Sequence, residues 1–282
     1  MRFHLDSADT FIPDGLPLEQ ALKRTTHMAI SAHQDDIEIM AAGAILECYQ
    51  QQDRWFTGVV VSDGRGSPRS GLYEKYSNED MRLVRIKEQR KAAFVGEYAA
   101  QVILDYPSKD IKDGKNPHPV EDLAALLKAA HPQVVLTHNI ADKHDTHVGV
   151  ALRVIAAIRS LPAAERPQKL YGCEVWRDLD WMVDSDKVPF NLTEHENLQA
   201  ALLGVYDSQI TGGKRYDLAS MGRRRANATY FESHGVDTNT GMTYGIDLTP
   251  LVMDAGLNVE SYIQSFIQRF AQDVSDRLKR MS

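Results

Sequence analysis

The stretch from Thr26 to Ser62 constrains this chain most, because it reads as strand, helix, strand in that order. Thr26 to Ala32 is an apolar run of strand length. Trp55 to Ser62 is another, with Val59, Val60 and Val61 as its β-branched centre. Between them Ile37, Met40, Ala41, Ala44, Ile45 and Cys48 recur at i, i+3, i+4 and i+7, which predicts one helix from Ile37 to Gln50. Such a unit crosses over right-handed and leaves its two strands parallel.

The alternation continues downstream. A helix is expected from Glu79 to Gly96, a strand from Val102 to Tyr106, a helix from Val120 to Ala130 and a strand from Gln133 to Thr137. A helix from Asp145 to Ser160 and a strand from Lys169 to Val175 follow. The expected class is α/β: a Rossmann-like, mostly parallel sheet flanked by helices. Residues 1–24 form a lead-in with a short helix at Leu18 to Lys23. Beyond Trp176 the pattern loosens: Glu194 to Tyr206 reads as helix, and Ser208 to Thr240 as a glycine-punctuated, loop-rich stretch. The end, about Gly256 to Arg280, is helical. There Val259, Ile263, Phe266, Phe270 and Val274 make one apolar face expected to pack within the chain, with a homo-oligomer contact as the lesser reading. No linker divides the 282 residues, so one domain is expected, with a core at about 25–175 and an extension at 176–282.

Charge excludes one class of function. The chain carries a net −7, and its only dense basic run, Arg223 to Arg225, is too short to make a nucleic-acid surface. No apolar run has the length of a membrane span. Met1 to Asp14, with Asp6, Asp9 and Asp14, does not read as a signal peptide, so a cytoplasmic location is expected. Cys48 and Cys173 cannot make a disulfide framework and read as core residues.

Two polar clusters carry the chemistry. Ala32-His33-Gln34-Asp35-Asp36-Ile37-Glu38 lies between the first strand and its helix. Thr137-His138-Asn139-Ile140-Ala141-Asp142-Lys143-His144-Asp145-Thr146-His147 occupies the same place after the fourth strand. Both therefore belong on the carboxyl edge of one parallel sheet, where α/β folds present their sites. His33, Asp35, Asp36, His138, His144 and His147 are candidate metal ligands, and a catalytic zinc site needs three protein ligands of histidine and carboxylate type. The bland readings are a solvated His-x-x-His and an aspartate pair serving as a helix cap. A third loop, Asp63 to Gly71, emerges on the same edge and carries Arg65 and Arg69, read as facing substrate or, equally, solvent. On the helix after it, Glu88 falls on the apolar stripe with Arg85 beside it. Either the two pair locally, or Glu88 steadies an Arg85 that points into the site.

The first cluster resembles the Ala-His-Pro-Asp-Asp-x-Glu motif of the PIG-L/LmbE-like N-deacetylases, and Asp142 to His147 resembles their second histidine motif. Asp63 to Gly66 and the run Arg85-x-x-Glu88 to Gly96 extend the likeness, which covers roughly residues 25–155. The resemblance implies a Rossmann-like fold holding one divalent metal, usually Zn2+, with Fe2+ or Co2+ also suited to such ligands. It implies His33, Asp36 and His147 as ligands and Asp35 as general base on the activated water. His144, as imidazolium, would stabilise the oxyanion. Arg85 would contact substrate, and Asp142 would orient a histidine. The implied reaction is hydrolysis of the acetamide of an N-acetylglucosamine-type sugar. Two departures stand out: Gln34 replaces the usual proline, and Asp145-Thr146 stands where Pro-Asp is common. The alternatives are an amidase on another sugar or thiol–sugar conjugate, and a non-catalytic Rossmann-like binding protein. Against a pyrophosphate binder, the first strand is followed by carboxylates and not by glycines.

Overall fold

The computed structural model describes residues 1–282. In chain order its first half comprises β1 (Asp9–Phe11), α1 (Leu18–Lys23), β2 (His27–Ser31), α2 (Asp36–Met40), α3 (Ala42–Cys48), β3 (Phe56–Ser62), α4 (Asn78–Val95), β4 (Ala100–Tyr106), α5 (Ser108–Lys112) and α6 (His118–Ala130). The second half comprises β5 (Val134–His138), α7 (Asp145–Ser160), β6 (Lys169–Cys173), β7 (Val188–Asn191), α8 (Glu196–Gly204), α9 (Asp207–Ile210), α10 (Tyr216–Tyr230), β8 (Met242–Asp247), α11 (Thr249–Met253) and α12 (Val259–Met281).

The eight strands form one sheet in the order β1-β4-β3-β2-β5-β6-β8-β7. Strands β2 to β6 run parallel, and antiparallel pairings occur only towards the margins, at β1, β7 and β8. Every residue of β2, β3 and β4 is buried, as expected of strands covered by helices on both faces. One core packs α1, α6, α7 and α11 against the sheet, and the other packs α2, α3, α4 and α8. Cys48 and Cys173 are free and buried in the second of these cores. No helix is long and apolar enough to cross a membrane.

Strand order places the site. Successive strands run outward from β2 to β3 and β4 on one side, and from β5 to β6 on the other. The order therefore reverses between β2 and β5, and the loops after these two strands open into the crevice where such sheets bind ligands. Those are the two loops that carry the histidine clusters.

Several expectations need correction. The helix expected from Ile37 to Gln50 is broken at Ala41 into α2 and α3. Its cause is a side chain in the ladder: Arg224 donates to the Glu38 carbonyl at 2.7 Å and to that of Ile39 at 3.4 Å, acceptors that a continuous helix would use itself. The loop-rich stretch from Ser208 to Thr240 contains α9 and the fifteen-residue α10. Its apolar periodicity is hidden because the buried face of α10 includes Ser220, Arg224 and Asn227. On α12 only the first half of the apolar face packs. Phe266 is buried, and Val259 and Ile263 touch the core, whereas Phe270 and Val274 are exposed.

Candidate metal centre

The β2–α2 loop turns sharply. Asp35 occupies φ 92°, a conformation that costs a non-glycine residue about 1–3 kcal/mol and that clusters at functional sites. The turn sends Asp35 and Asp36 to different partners. Asp35 makes no side-chain cap of α2, so the helix-cap reading of the aspartate pair fails for it. Gly64, at φ +68°, follows β3 beside this turn. Its positive φ suits glycine, and a Cβ there would also press on the buried side chains of Gln34, 2.5 Å away, and Arg85, 3.2 Å away.

His33, Asp36 and His147 converge. His33 Nδ1 lies 3.2 Å from Asp36 Oδ2 and 3.2 Å from His147 Nε2, and the third side, His147 Nε2 to Asp36 Oδ2, is 3.4 Å. Bonds of about 2.0–2.1 Å at a tetrahedral ion set ligand atoms roughly 3.3–3.4 Å apart. The triangle thus has the dimensions of one face of a tetrahedral centre, and its donors, two imidazole nitrogens and a carboxylate oxygen, suit a divalent transition metal. Asp36 also accepts from the His33 backbone N–H at 2.7 Å. Burial works against the Asp36 charge, but His147, His33 and His138 hold its carboxyl well below the usual range.

Asp142 orients His147. Its carboxylate lies 3.1 Å from His147 Nδ1, which leaves Nε2 with its lone pair towards the triangle. Asp142 is itself fixed by the backbone N–H groups of Lys143, Trp176 and Arg177. Burial lowers the His147 pKa, but the carboxylates of Asp36 and Asp142 on either side raise it above the ordinary imidazole value. His138 is set behind these groups. Its Nε2 accepts from Ala32 N–H at 2.8 Å, its ring stacks on His147 at 3.9 Å, and burial keeps it neutral. Of the six candidate ligands, His138 therefore braces the site and does not join the triangle.

Asp35 lies beside the triangle, with Arg85 3.3 Å from its carboxylate. Burial pushes Asp35 up to about 8; Arg85 opposes that shift, and Asp36 and Glu38 add to it. Arg85 is buried and also donates to the Gln34 carbonyl, so it clamps the turn from below. Glu88 lies 3.9 Å from Arg85, but its close partners are Ser208 N–H at 2.7 Å and Ser208 Oγ–H at 2.6 Å. Glu88 thus ties α4 to α9, and local pairing with Arg85 is the lesser part of its role. Gln89, one position on, accepts from Asp35 N–H at 3.4 Å and donates to Glu38, which also accepts from Tyr98 and Tyr206. Glu38 belongs to the first cluster, but its partners Gln89, Tyr98 and Tyr206 carry no signal in the sequence, since single glutamines and tyrosines make no motif.

His144 caps α7 with its ring: Nδ1 accepts from Thr146 N–H at 3.3 Å. Burial, His147 and His33 together hold it below the ordinary imidazole value. This geometry favours the neutral form with the proton on Nε2, in place of the expected imidazolium.

A cleft of about 540 Å³ lies over these groups. His33, Asp35, Asp36, Arg85 and His144 line it, together with Asp63, Gly64, Ser67 and Pro68 from the third loop. The loop faces the cleft as expected, but its arginines do not line it. Arg65 is paired with Asp63 and Glu79, each at 2.9 Å, and Arg69 donates to the Arg65 carbonyl and to Asn78. The far wall comes from the extension: Trp176, Gln209, Lys214 and Tyr216.

Residues 28–158 match the family described as PIG-L: GlcNAc-PI de-N-acetylase. The chain carries a PIG-L domain. No curated protein matches it by sequence. Among solved structures, a conserved protein from Thermus thermophilus has 17% identity and a TM-score of 0.61, covering 83% of this chain and 100% of that one. GalB, the 4-carboxy-2-hydroxymuconate hydratase from Pseudomonas putida, has 17% identity and a TM-score of 0.62, covering 79% and 96%. The N,N'-diacetylchitobiose deacetylase from Pyrococcus horikoshii has 16% identity and a TM-score of 0.57, covering 78% and 83%. At these identities the likeness is one of fold. Residues 28–158 hold the His33–Asp36–His147 triangle together with Asp35, Arg85, Asp142 and His144, while the extension supplies Trp176 and Tyr216.

Proposed function

We propose that this protein is a divalent-metal-dependent hydrolase that removes the acetyl group from an N-acetylated amino sugar or its conjugate. The observation that carries this reading is the His33–Asp36–His147 triangle with Asp35 set beside it. The PIG-L match and a deacetylase among the structures of like fold support the choice of reaction. Zinc is the proposed ion, with iron or cobalt compatible with the same donors. Bound there, it supplies a Lewis acid that polarises the amide carbonyl and acidifies a water.

The remaining roles belong to side chains. Asp35 accepts a proton from the attacking water as its oxygen bonds to the carbonyl carbon. The same carboxyl then returns that proton to the nitrogen as the C–N bond breaks, giving acetate and the free amine. His144, with Nε2–H turned to the cleft, donates to the oxygen that gains charge, where a preorganised donor is worth most. Arg85 favours the ionised form of Asp35 against the upward push of burial and holds the side chain in place. Asp63, paired with Arg65, and Ser67 line the cleft on the side where a sugar would lie.

Acetate release from a panel of N-acetyl amino sugars with added Zn2+ tests this directly. Asp35→Asn is expected to lower turnover by about 10²–10⁴-fold while leaving the bound metal stoichiometric. Full activity in that variant removes Asp35 as the base. Absence of acetate release from every sugar tried, by metal-loaded wild-type protein, overturns the reaction class.

A further inference from the structure

A second cavity of about 200 Å³ lies against the catalytic cleft, and Trp176 and Tyr216 line both. A water takes about 30 Å³ of liquid volume, so the space admits a group of several heavy atoms. Its wall is part apolar, from Ile39 and Val175, and part cationic, from Arg223 and Arg224 on α10.

The cationic part is underused. Arg224 is 2% exposed and has no carboxylate within ion-pair distance. Its two terminal nitrogens donate to the Glu38 and Ile39 carbonyls and to Gln199, yet its Nε–H, also buried, has no acceptor. Arg223 gives one N–H to the Val175 carbonyl; its charge acts on Glu174, but the two are not within ion-pair distance. Across the cavity Thr243 Oγ1 is buried and unpartnered. The one acid in the wall, Glu174, is committed: it accepts from Leu179 N–H, Tyr244 N–H and Asn227 Nδ2. Two guanidiniums and one carboxylate leave the wall with a net positive charge. Unmet donors and uncompensated charge in a buried wall are costly unless an acceptor arrives.

We propose that this cavity is a binding site for a small anionic group, a carboxylate or a phosphate, received by Arg223, the free Nε–H of Arg224 and Thr243. The group has two possible sources: an acidic substituent on the substrate that occupies the neighbouring cleft, or a free anion acting from behind the Trp176–Tyr216 wall. The site itself does not depend on the deacetylase reading; only the first source does.

Calorimetric titration of the full-length protein with inorganic phosphate and with succinate, against chloride at matched ionic strength, tests it. Saturable binding is expected in the wild type, weakened roughly tenfold or more by Arg223→Met and measurably by Thr243→Val, since each removes a donor to a charged acceptor. Lys214→Met, which removes a cation that lines the cleft and not this cavity, is expected to leave this binding unchanged. No saturable binding, or binding that survives both cavity variants and falls with Lys214→Met, overturns the proposal. The source is read by turnover. If the substrate supplies the group, Arg223→Met raises KM for acidic N-acetyl sugars and not for neutral ones. If a free anion supplies it, succinate or phosphate shifts turnover of a neutral sugar in the wild type and not in Arg223→Met. Calorimetric binding without any turnover on the sugar panel would leave the anion site standing and the deacetylase reading lost.

Discussion

Asp35 and Asp36 are neighbours in sequence with opposite electrostatic fates. Asp36 meets three imidazoles and is held ionised, whereas Asp35 is buried against other carboxylates and relieved chiefly by Arg85. Arg85 stabilises the charged form of Asp35, and removing it raises the Asp35 pKa further. The base is then ionised only at higher pH. The acid limb of kcat/KM in metal-loaded Arg85→Gln is therefore expected to move upward in pH, and a profile measured over pH 5 to 9 would show it; an unmoved limb means that Arg85 does not act through Asp35. Asp142 belongs to the same scale. Asp142→Ala frees the His147 ring to turn and to carry its proton on either nitrogen. Metal affinity is expected to fall by roughly 10–100-fold, measured by competition with a chromophoric chelator. His33, Asp35, Asp36, His144 and His147 were legible in the sequence because they repeat one pattern after two strands. The division of labour between them came from the resemblance, not from spacing.

At the scale of elements, periodicity located α7, with its mostly apolar buried face, over its full length, and α4 to within a residue of each end although Arg85, Glu88 and Gln89 face inward. It did not locate α10. The inward residues of α10 include an arginine and an asparagine, and α2 is cut from α3 by that same arginine. Strands β7 and β8 were missed too: β7 has only four residues, one of them a proline, and β8 lies outside the strand–helix alternation, pairing antiparallel with both β6 and β7. The last helix divides in two. Phe266 is 6% exposed, and Phe266→Ala is expected to cost about 3–5 kcal/mol, seen as a large fall in denaturation midpoint. Removing residues 268–282, whose large apolar side chains are all exposed, is expected to leave that midpoint nearly unchanged. A large loss on truncation would show that the outer half of α12 is buried in solution, against a second copy of the chain.

Across the whole molecule, the alternation of strand and helix was enough to anticipate the parallel centre of the sheet and the edge on which the site lies. The margins and the far wall of the cleft were not accessible in this way. Lys214, Tyr216 and Gln209 come from a region without a motif, and they reach the site only because α9 and α10 fold back over it.

The three members of the triangle are unequally shielded. The side chains of His147 and Asp36 are 0% and 4% exposed, whereas that of His33 is 24% exposed and opens to the cleft. On the proposed reading, an ion would enter and leave past His33, through an opening shared with whatever occupies the cleft. The ion would then have to arrive first, and a seated sugar would lock it in. Inactivation by a chelator is accordingly expected to slow in proportion to cleft occupancy, with the half-time at saturating sugar well beyond that of the free enzyme.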